Sequence, residues 1–310
     1  MRVVFLGTPE FAVPSLQALA REHEIAGVFT QPDRPKGRGN ELAESIVKTA
    51  ARELGLPVYQ PERVRRPEAV ELLRELAPEI MVVVGYGQII PQVLIGLPPK
   101  GILNVHASLL PKYRGAAPIQ WAIANGETET GVTIMQIDAG LDTGSMLLKA
   151  RTCIGPHETA PELSARLAPL GANLLLEAMR AIKEGTATPE KQNDAEATLA
   201  PILNKEDGRI DWSRTAREIY NRLRGFTPWP GAYTTFRGQQ LAIVRATPEN
   251  NDAVRPGVLA AIDRRLIAGC GGASALEILE LQLAGKRRMS AGAFLNGYPL
   301  AAGEHLGDAN

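Results

Sequence analysis

Ile80-Met81-Val82-Val83-Val84 is an unbroken apolar run that ends at Gly85-Tyr86-Gly87. A strand with one face in water alternates apolar and polar side chains. A continuous run of this length instead fits a strand covered on both faces, as in a parallel sheet between helical layers. Runs of the same character stand at 3–6, 25–29 and 102–105, with a brief one at 58–59. Helical spacing separates them at 11–20, at 42–54, and after Pro67, where Val70, Leu72, Leu73 and Leu76 precede Pro78. A further helix is read over 118–124, closed by Asn125-Gly126. This alternation predicts βαβ units, a mostly parallel sheet, and a ligand crevice beyond the carboxyl ends of its strands.

The pattern then changes. Two strands are read at 131–137 and 146–152, separated by a polar, glycine-containing segment, and an amphipathic helix follows over 160–183. Residues 185–203 mix Thr, Pro, Glu, Asn and Ala without periodicity, which marks a linker. Beyond it a helix at 215–223 leads into short strand-like runs at 232–236, 241–244, 257–262, 266–268 and 276–281. Short strands with frequent turns predict a small barrel or sandwich. The division expected is a catalytic domain at 1–184, a linker at 185–205 and a second domain at 206–310.

Composition narrows the function. The 310 residues carry 34 basic and 34 acidic side chains and are 45% hydrophobic. That balance excludes collagen-like and disordered chains, and it removes bulk positive charge as a route to nucleic acid. Any contact with phosphates must come from a local basic face. Cys153 and Cys270 belong to no Cys-x-x-Cys pair, so they read as two buried apolar side chains, not as a zinc site or a disulfide. Arg2-Val3-Val4-Phe5-Leu6 reads as a first strand and not as a secretory leader. No apolar run reaches membrane-spanning length, so the expected location is the cytoplasm.

Gly7-Thr8-Pro9 after the first strand invites a dinucleotide-binding reading. Glu10-Phe11-Ala12 stands where further glycines would be needed, and Glu10 would repel an anion. Two other stretches carry chemistry. In Asn104-Val105-His106, period-two alternation sends an amide and an imidazole to the same side of a strand near its end. Asp138-Ala139-Gly140-Leu141-Asp142-Thr143-Gly144 sets two carboxylates among glycines in a tight loop that lacks calcium-loop spacing.

Gly101 through Pro111, with Arg114-Gly115-Ala116 and Pro118 through Ile123, resembles the signature of the 10-formyltetrahydrofolate-dependent formyltransferases. Gly131-Val132-Thr133-Ile134-Met135 and Asp138 through Gly144 resemble its second signature. Four more stretches are similar to the family members that act on methionyl-tRNA. They are Phe5 through Ala12, Thr30 through Pro35 with Gly37-Arg38-Gly39, Glu206 through Trp212, and Thr227 through Ala232. The resemblance spans most of the chain. It implies a Rossmann-like, mostly parallel formyltransferase domain followed by a smaller OB-like β-barrel domain that binds tRNA. The reaction it implies is formyl transfer from 10-formyltetrahydrofolate to the α-amino group of methionine on initiator tRNA, by a monomer without a metal.

The same resemblance assigns roles. Asn104 would donate to the developing oxyanion, His106 would move protons, and Asp142 would hold the imidazole and organise a water. Ser108, Leu109, Leu110 and Pro111, the 84–90 stretch with Val84, Tyr86 and Ile90, and Asp138 would meet the folate. Arg34, Lys36 and Arg38 would meet tRNA phosphates, as would Lys286, Arg287 and Arg288. This chain departs from the family after its Gly-Arg-Gly. Asn40-Glu41 stands where many relatives have lysines, and Ser45-Ile46 where they have Ser-Pro. Residues 206–310 hold 13 basic and 11 acidic side chains, with further bases paired at Arg222/Arg224 and Arg264/Arg265. The main rival is a formyltransferase of the same family acting on a sugar-nucleotide or ribonucleotide amine. From another class, a catalytically silent tRNA-binding module is the alternative.

Overall fold

The computed structural model describes residues 1–36 and 41–307. The chain forms two compact units: Met1–Pro118, Glu129–Cys153 and Leu163–Pro201 in one, and Ile119–Thr128, Ile154–Glu162 and Ile202–Asn310 in the other.

The first unit is built on a seven-stranded sheet. Val58–Tyr59, Glu24–Phe29, Arg2–Gly7, Ile80–Val84 and Ile102–His106 lie side by side in parallel. Glu129–Gln136 and Met146–Cys153 extend the sheet antiparallel. Every residue of Ile80–Val84 is buried, as is Val3 through Leu6, so the central strands are covered on both faces. The edge strand Met146–Cys153 alternates instead. This places Cys153 in the open, while Cys270 is buried. The expectation of two buried cysteines therefore fails at the sheet edge, where every other side chain faces out.

Helix Ala160–Glu184 presses on the strand that carries Asn104 and His106. A Cβ added at Gly171 would stand 2.9 Å from Val105 Cγ1 and 3.3 Å from Val132 Cγ1. The helix predicted over 42–54 begins later, at Ile46. There Ser45 Oγ caps it by accepting from the Lys48 amide at 3.1 Å. Glu41–Ala43 is a strand paired with Arg34–Lys36, and Leu42, which looked like the first apolar helix position, is 71% exposed. Within 185–201 the chain bonds to the rest of the first unit: Glu190 pairs with Met146, and Leu199–Ala200 with Arg114–Gly115.

In the second unit the strands run in the order Ala232–Phe236, Gln239–Asn250, Ser274–Leu283, Arg265–Cys270, Leu259–Ile262, all antiparallel. The end of the chain joins the outer two. Leu259 donates to Glu304 O (2.7 Å), Leu306 to Gly257 O (2.7 Å) and Gly307 to Thr235 O (2.9 Å), which closes the sheet into a barrel. Phe236, Leu241, Leu276, Leu281 and Phe294 fill it, with Ile219 and Leu223 from helix Ala216–Gly225. Thr215 and Glu218 cap that helix reciprocally. Gly225 allows a close approach to helix Pro118–Ala124, since a Cβ there would stand 2.8 Å from Gln120 O.

Candidate active site

Strand pleating sets Asn104 and His106 on one face of Ile102–His106. The loop after Glu129–Gln136 folds back to that face and delivers Asp142 in the left-handed region, at φ +52°. Asn104 Nδ2 donates to Asp142 Oδ1 at 3.3 Å, and the Gly115 amide donates to Asp142 Oδ2 at 2.8 Å. Both carboxylate oxygens are thereby oriented. The His106 ring is 5% exposed, and its Nε2 lies 2.9 Å from Tyr113 O. A carbonyl only accepts, so Nε2 carries the hydrogen and Nδ1 is the nitrogen available to take or give a proton. Nδ1 faces Asp142 Oδ2 at 3.6 Å, beyond hydrogen-bond distance and an ion pair only while the imidazole carries a second proton.

Asp138 braces the same loop, since its Oδ1 accepts from the Gly140 amide (3.0 Å) and from Thr143 Oγ1 (2.7 Å). Gly144 allows the loop to close tightly, because a Cβ there would fall 1.8 Å from Gln136 O. Beyond the carboxyl ends of Arg2–Gly7, Glu24–Phe29 and Ile80–Val84 lies an open cavity of about 600 Å³, lined by Thr8, Pro9, Gln31, Arg34, Ser45 and Tyr86 among others.

The formyl transferase family matches residues 1–179, and the formyl transferase C-terminal domain matches 202–299. A methionyl-tRNA formyltransferase of Solibacter usitatus is 60% identical over 312 residues, with 100% of both chains covered. That of Koribacter versatilis is 56% identical over 314 residues, covering 99% of each. The chain belongs to the methionyl-tRNA formyltransferase family. Among solved structures, the sugar 3N-formyl transferase WlaRD matches with a TM-score of 0.68 at 20% identity, covering 93% of this chain and 99% of that one. That likeness shows a shared fold.

On this formyltransferase scaffold the other predicted site residues fall into distinct environments. Ser108 is fully buried. Its hydroxyl donates to Lys112 O (2.6 Å) and its carbonyl accepts from Thr133 Oγ1 (2.7 Å), so the side chain shapes the turn. Leu110 packs with Met135 and Met146, Pro111 is buried, and Leu109 is half-buried. Val84 and Tyr86 are buried and Ile90 is half-buried, whereas Ile89 is 91% exposed. Gly85 and Gly87 both take positive φ, and this turns the backbone there. Burial pushes the Tyr86 phenol up to about 12, and its buried Oη has no hydrogen-bond partner among the described residues.

Arg34 is exposed at the cavity, while the Lys36 side chain and all of Arg38 lie outside the described residues. Lys286, Arg287 and Arg288 are exposed in the turn between Ser274–Leu283 and Met289–Ser290. Three of the other bases singled out in the second unit have internal partners. Arg224 is buried against Asn221 Oδ1 and donates to Gly155 O and Glu158 O, each at 3.0 Å. Arg222 covers the Trp121 and Phe226 rings, and Arg265 pairs with Glu277 and Glu249. Desolvation lowers the pKa of Arg222 and of Arg224, and the Glu277 and Glu249 carboxylates raise that of Arg265.

The residue that sequence reasoning missed is Gln192. It joins Arg114 to the Asp142 loop from within the aperiodic 185–203 stretch. Among the described residues, no group of three or more His, Cys, Asp or Glu is placed to hold a metal ion.

Proposed function

We propose that this chain transfers the formyl group of 10-formyltetrahydrofolate to the α-amino group of methionine esterified to initiator tRNA. The observation that carries the proposal is the convergence of Asn104, His106 and Asp142 on one strand face. The full-length likeness to methionyl-tRNA formyltransferases at 60% and 56% identity supports the acceptor.

The donor set suits an acyl acceptor–donor pair. Among the described residues His106 Nδ1 has no partner within hydrogen-bond distance, and Asn104 spends one amide hydrogen on Asp142 and keeps the other. When bound, the folate supplies a formyl carbonyl open to attack by an amine. Asn104 Nδ2 donates its second hydrogen where negative charge develops on oxygen, and its bond to Asp142 fixes the amide plane. Neutral His106 takes the amine proton at Nδ1 as the amine nitrogen bonds the formyl carbon. It gives that proton to the folate nitrogen as the bond from this nitrogen to the formyl carbon breaks, with the Asp142 carboxylate stabilising the imidazolium between the two events. The Tyr113 carbonyl keeps Nε2 protonated throughout, so one nitrogen alone does the proton transfer.

In the same proposal the folate lies against the 108–111 turn, the 84–90 backbone and the Asp138 loop. Val84, Tyr86 and Leu110 take part through backbone groups, their side chains being packed inside. Arg34, Lys36 and Arg38, together with Lys286, Arg287 and Arg288, meet tRNA phosphates. The enzyme acts as a monomer in the cytoplasm; among the described residues no helix is long and apolar enough to cross a membrane.

The test combines purified protein, 10-formyltetrahydrofolate and charged initiator tRNA, with elongator methionyl-tRNA as control. Formylmethionine should accumulate on the initiator and far more slowly on the elongator. Formyl transfer to an amino-sugar nucleotide with none to either tRNA would replace this reading with its rival.

A further inference from the structure

Gln192 is 4% exposed, and every hydrogen-bonding site of its amide is filled. Nε2 donates to Asp142 O (2.7 Å) and Gly144 O (2.8 Å), while Oε1 accepts from Arg114 Nε (3.0 Å) and Nη2 (2.8 Å). Arg114, itself buried, also reaches Asp194 Oδ1 at 2.7 Å. The segment that carries Gln192 is tied at both ends. Glu190 and Met146 exchange two backbone bonds of 2.8 Å. Farther on, the Thr198 carbonyl accepts from the Arg114 amide (2.9 Å), and Thr198 Oγ1 accepts from the Tyr113 amide (2.9 Å).

These ties converge on the two backbone groups that orient the site. Tyr113 O fixes the His106 tautomer, and the Gly115 amide fixes Asp142 Oδ2. Asp142 also holds a left-handed backbone that a non-glycine residue adopts only when its surroundings require it. We propose that Gln192 is a positioning residue for formyl transfer, holding the Asp142 loop at the distance from His106 and Asn104 that the chemistry needs. This rests on the assignment of Asn104, His106 and Asp142 made above. A neutral amide is the side chain that fits, since it offers two donors to two carbonyls and an acceptor oxygen to a guanidinium. A glutamate would keep the bond to Arg114 and turn an oxygen toward the Asp142 and Gly144 carbonyls.

The experiment compares Q192E and Q192M with the unmodified protein, alongside D142A. Three readouts are taken: steady-state kinetics, amide hydrogen exchange of the ligand-free protein, and thermal melting. Q192E matches glutamine in shape and keeps its contact with Arg114, so it tests the two donors with the least disturbance of packing. Both variants should lose about 30- to 100-fold in kcat, the scale of a displacement of about 1 Å at a reacting group, with KM for methionyl-tRNA within about threefold. The Gly115 amide should lose at least about tenfold in protection, while amides of Ile80–Val84 exchange as before.

Wild-type kcat in Q192E would overturn the proposal, because the Arg114 contact alone would then suffice. Slow turnover with Gly115 still protected would overturn it too. So would activity that tracks only the melted fraction and returns on cooling. D142A at full rate, by contrast, would remove the site assignment itself and not the role of Gln192 in holding the loop.

Discussion

Replacing Asp142 with asparagine keeps the side chain's shape and removes its charge. At the 3.6 Å between His106 Nδ1 and Asp142 Oδ2, the Coulomb attraction is about 4.6 kcal/mol at an effective dielectric of 20 and about 1.2 kcal/mol in bulk water. His106 is 5% and Asp142 16% exposed in the side chain, so the pair lies nearer the first limit, at about 2–4 kcal/mol. That energy is felt only while the imidazole is protonated, and it therefore belongs to the rate more than to substrate binding. Converted, it is a fall in kcat of about 30- to 900-fold. The amide adds a second defect. Asp142 accepts from both Asn104 Nδ2 and the Gly115 amide, and asparagine has one acceptor oxygen for those two donors. Single-turnover formylation of charged initiator tRNA measures the loss, with a melting curve to confirm that the fold persists. A folded D142N protein working within about threefold of the unmodified rate would refute the charge pairing on which the proposed mechanism depends.

Asn104→Ala should lower kcat by about 10²- to 10³-fold, the usual scale for one oxyanion donor, and leave the melting temperature nearly unchanged; an unchanged rate would free Asn104 of that role. His23→Gln should flatten the pH dependence of stability. Burial lowers the His23 pKa below 6.5, with the N-terminus, Lys183 and Arg180 acting in the same direction, so the unfolded chain binds the proton first as pH falls. Wild-type stability therefore declines as pH drops through that window, and H23Q should decline less between about pH 7.5 and about pH 5.5; parallel denaturation curves would contradict this. Neutralising Lys286, Arg287 and Arg288 together should make the logarithmic salt dependence of tRNA binding shallower by up to about 2, and an identical slope would remove that turn from the interface.

Much of the first unit was legible because its signals are local. Val3 through Leu6 and Ile80 through Val84 are buried on both faces as their unbroken apolar runs imply. Asn104 and His106 share a face because pleating alone demands it. The hairpin of Arg34–Lys36 with Glu41–Ala43 was not legible, since exposed Leu42 mimics the start of a helix that Ser45 in fact caps. Its neighbour Ile46 occupies the first helical position, one where proline is also well tolerated. The family's Ser-Pro and this chain's Ser-Ile are thus compatible with the same helix start.

The contacts that stayed hidden share one physical feature: the partner is a backbone carbonyl. Arg224 counts as a surface base until Gly155 O and Glu158 O, 69 and 66 residues away, are seen to bind it. Gln192 sits in a stretch with no periodicity, yet its partners Asp142 O and Gly144 O lie 50 and 48 residues back. The His106 tautomer follows from Tyr113 O, a group present whatever residue stands at that position. Carbonyls carry no side-chain identity, so no motif can announce them. The stretches that resemble the formyltransferase signatures therefore display the side chains proposed to carry the chemistry and leave out Gln192, which is proposed to position them. Substitutions at 190–200 should accordingly impair catalysis at residues no signature contains, and Gln192, bonded to the Asp142 and Gly144 carbonyls and to Arg114, is where that effect should be greatest.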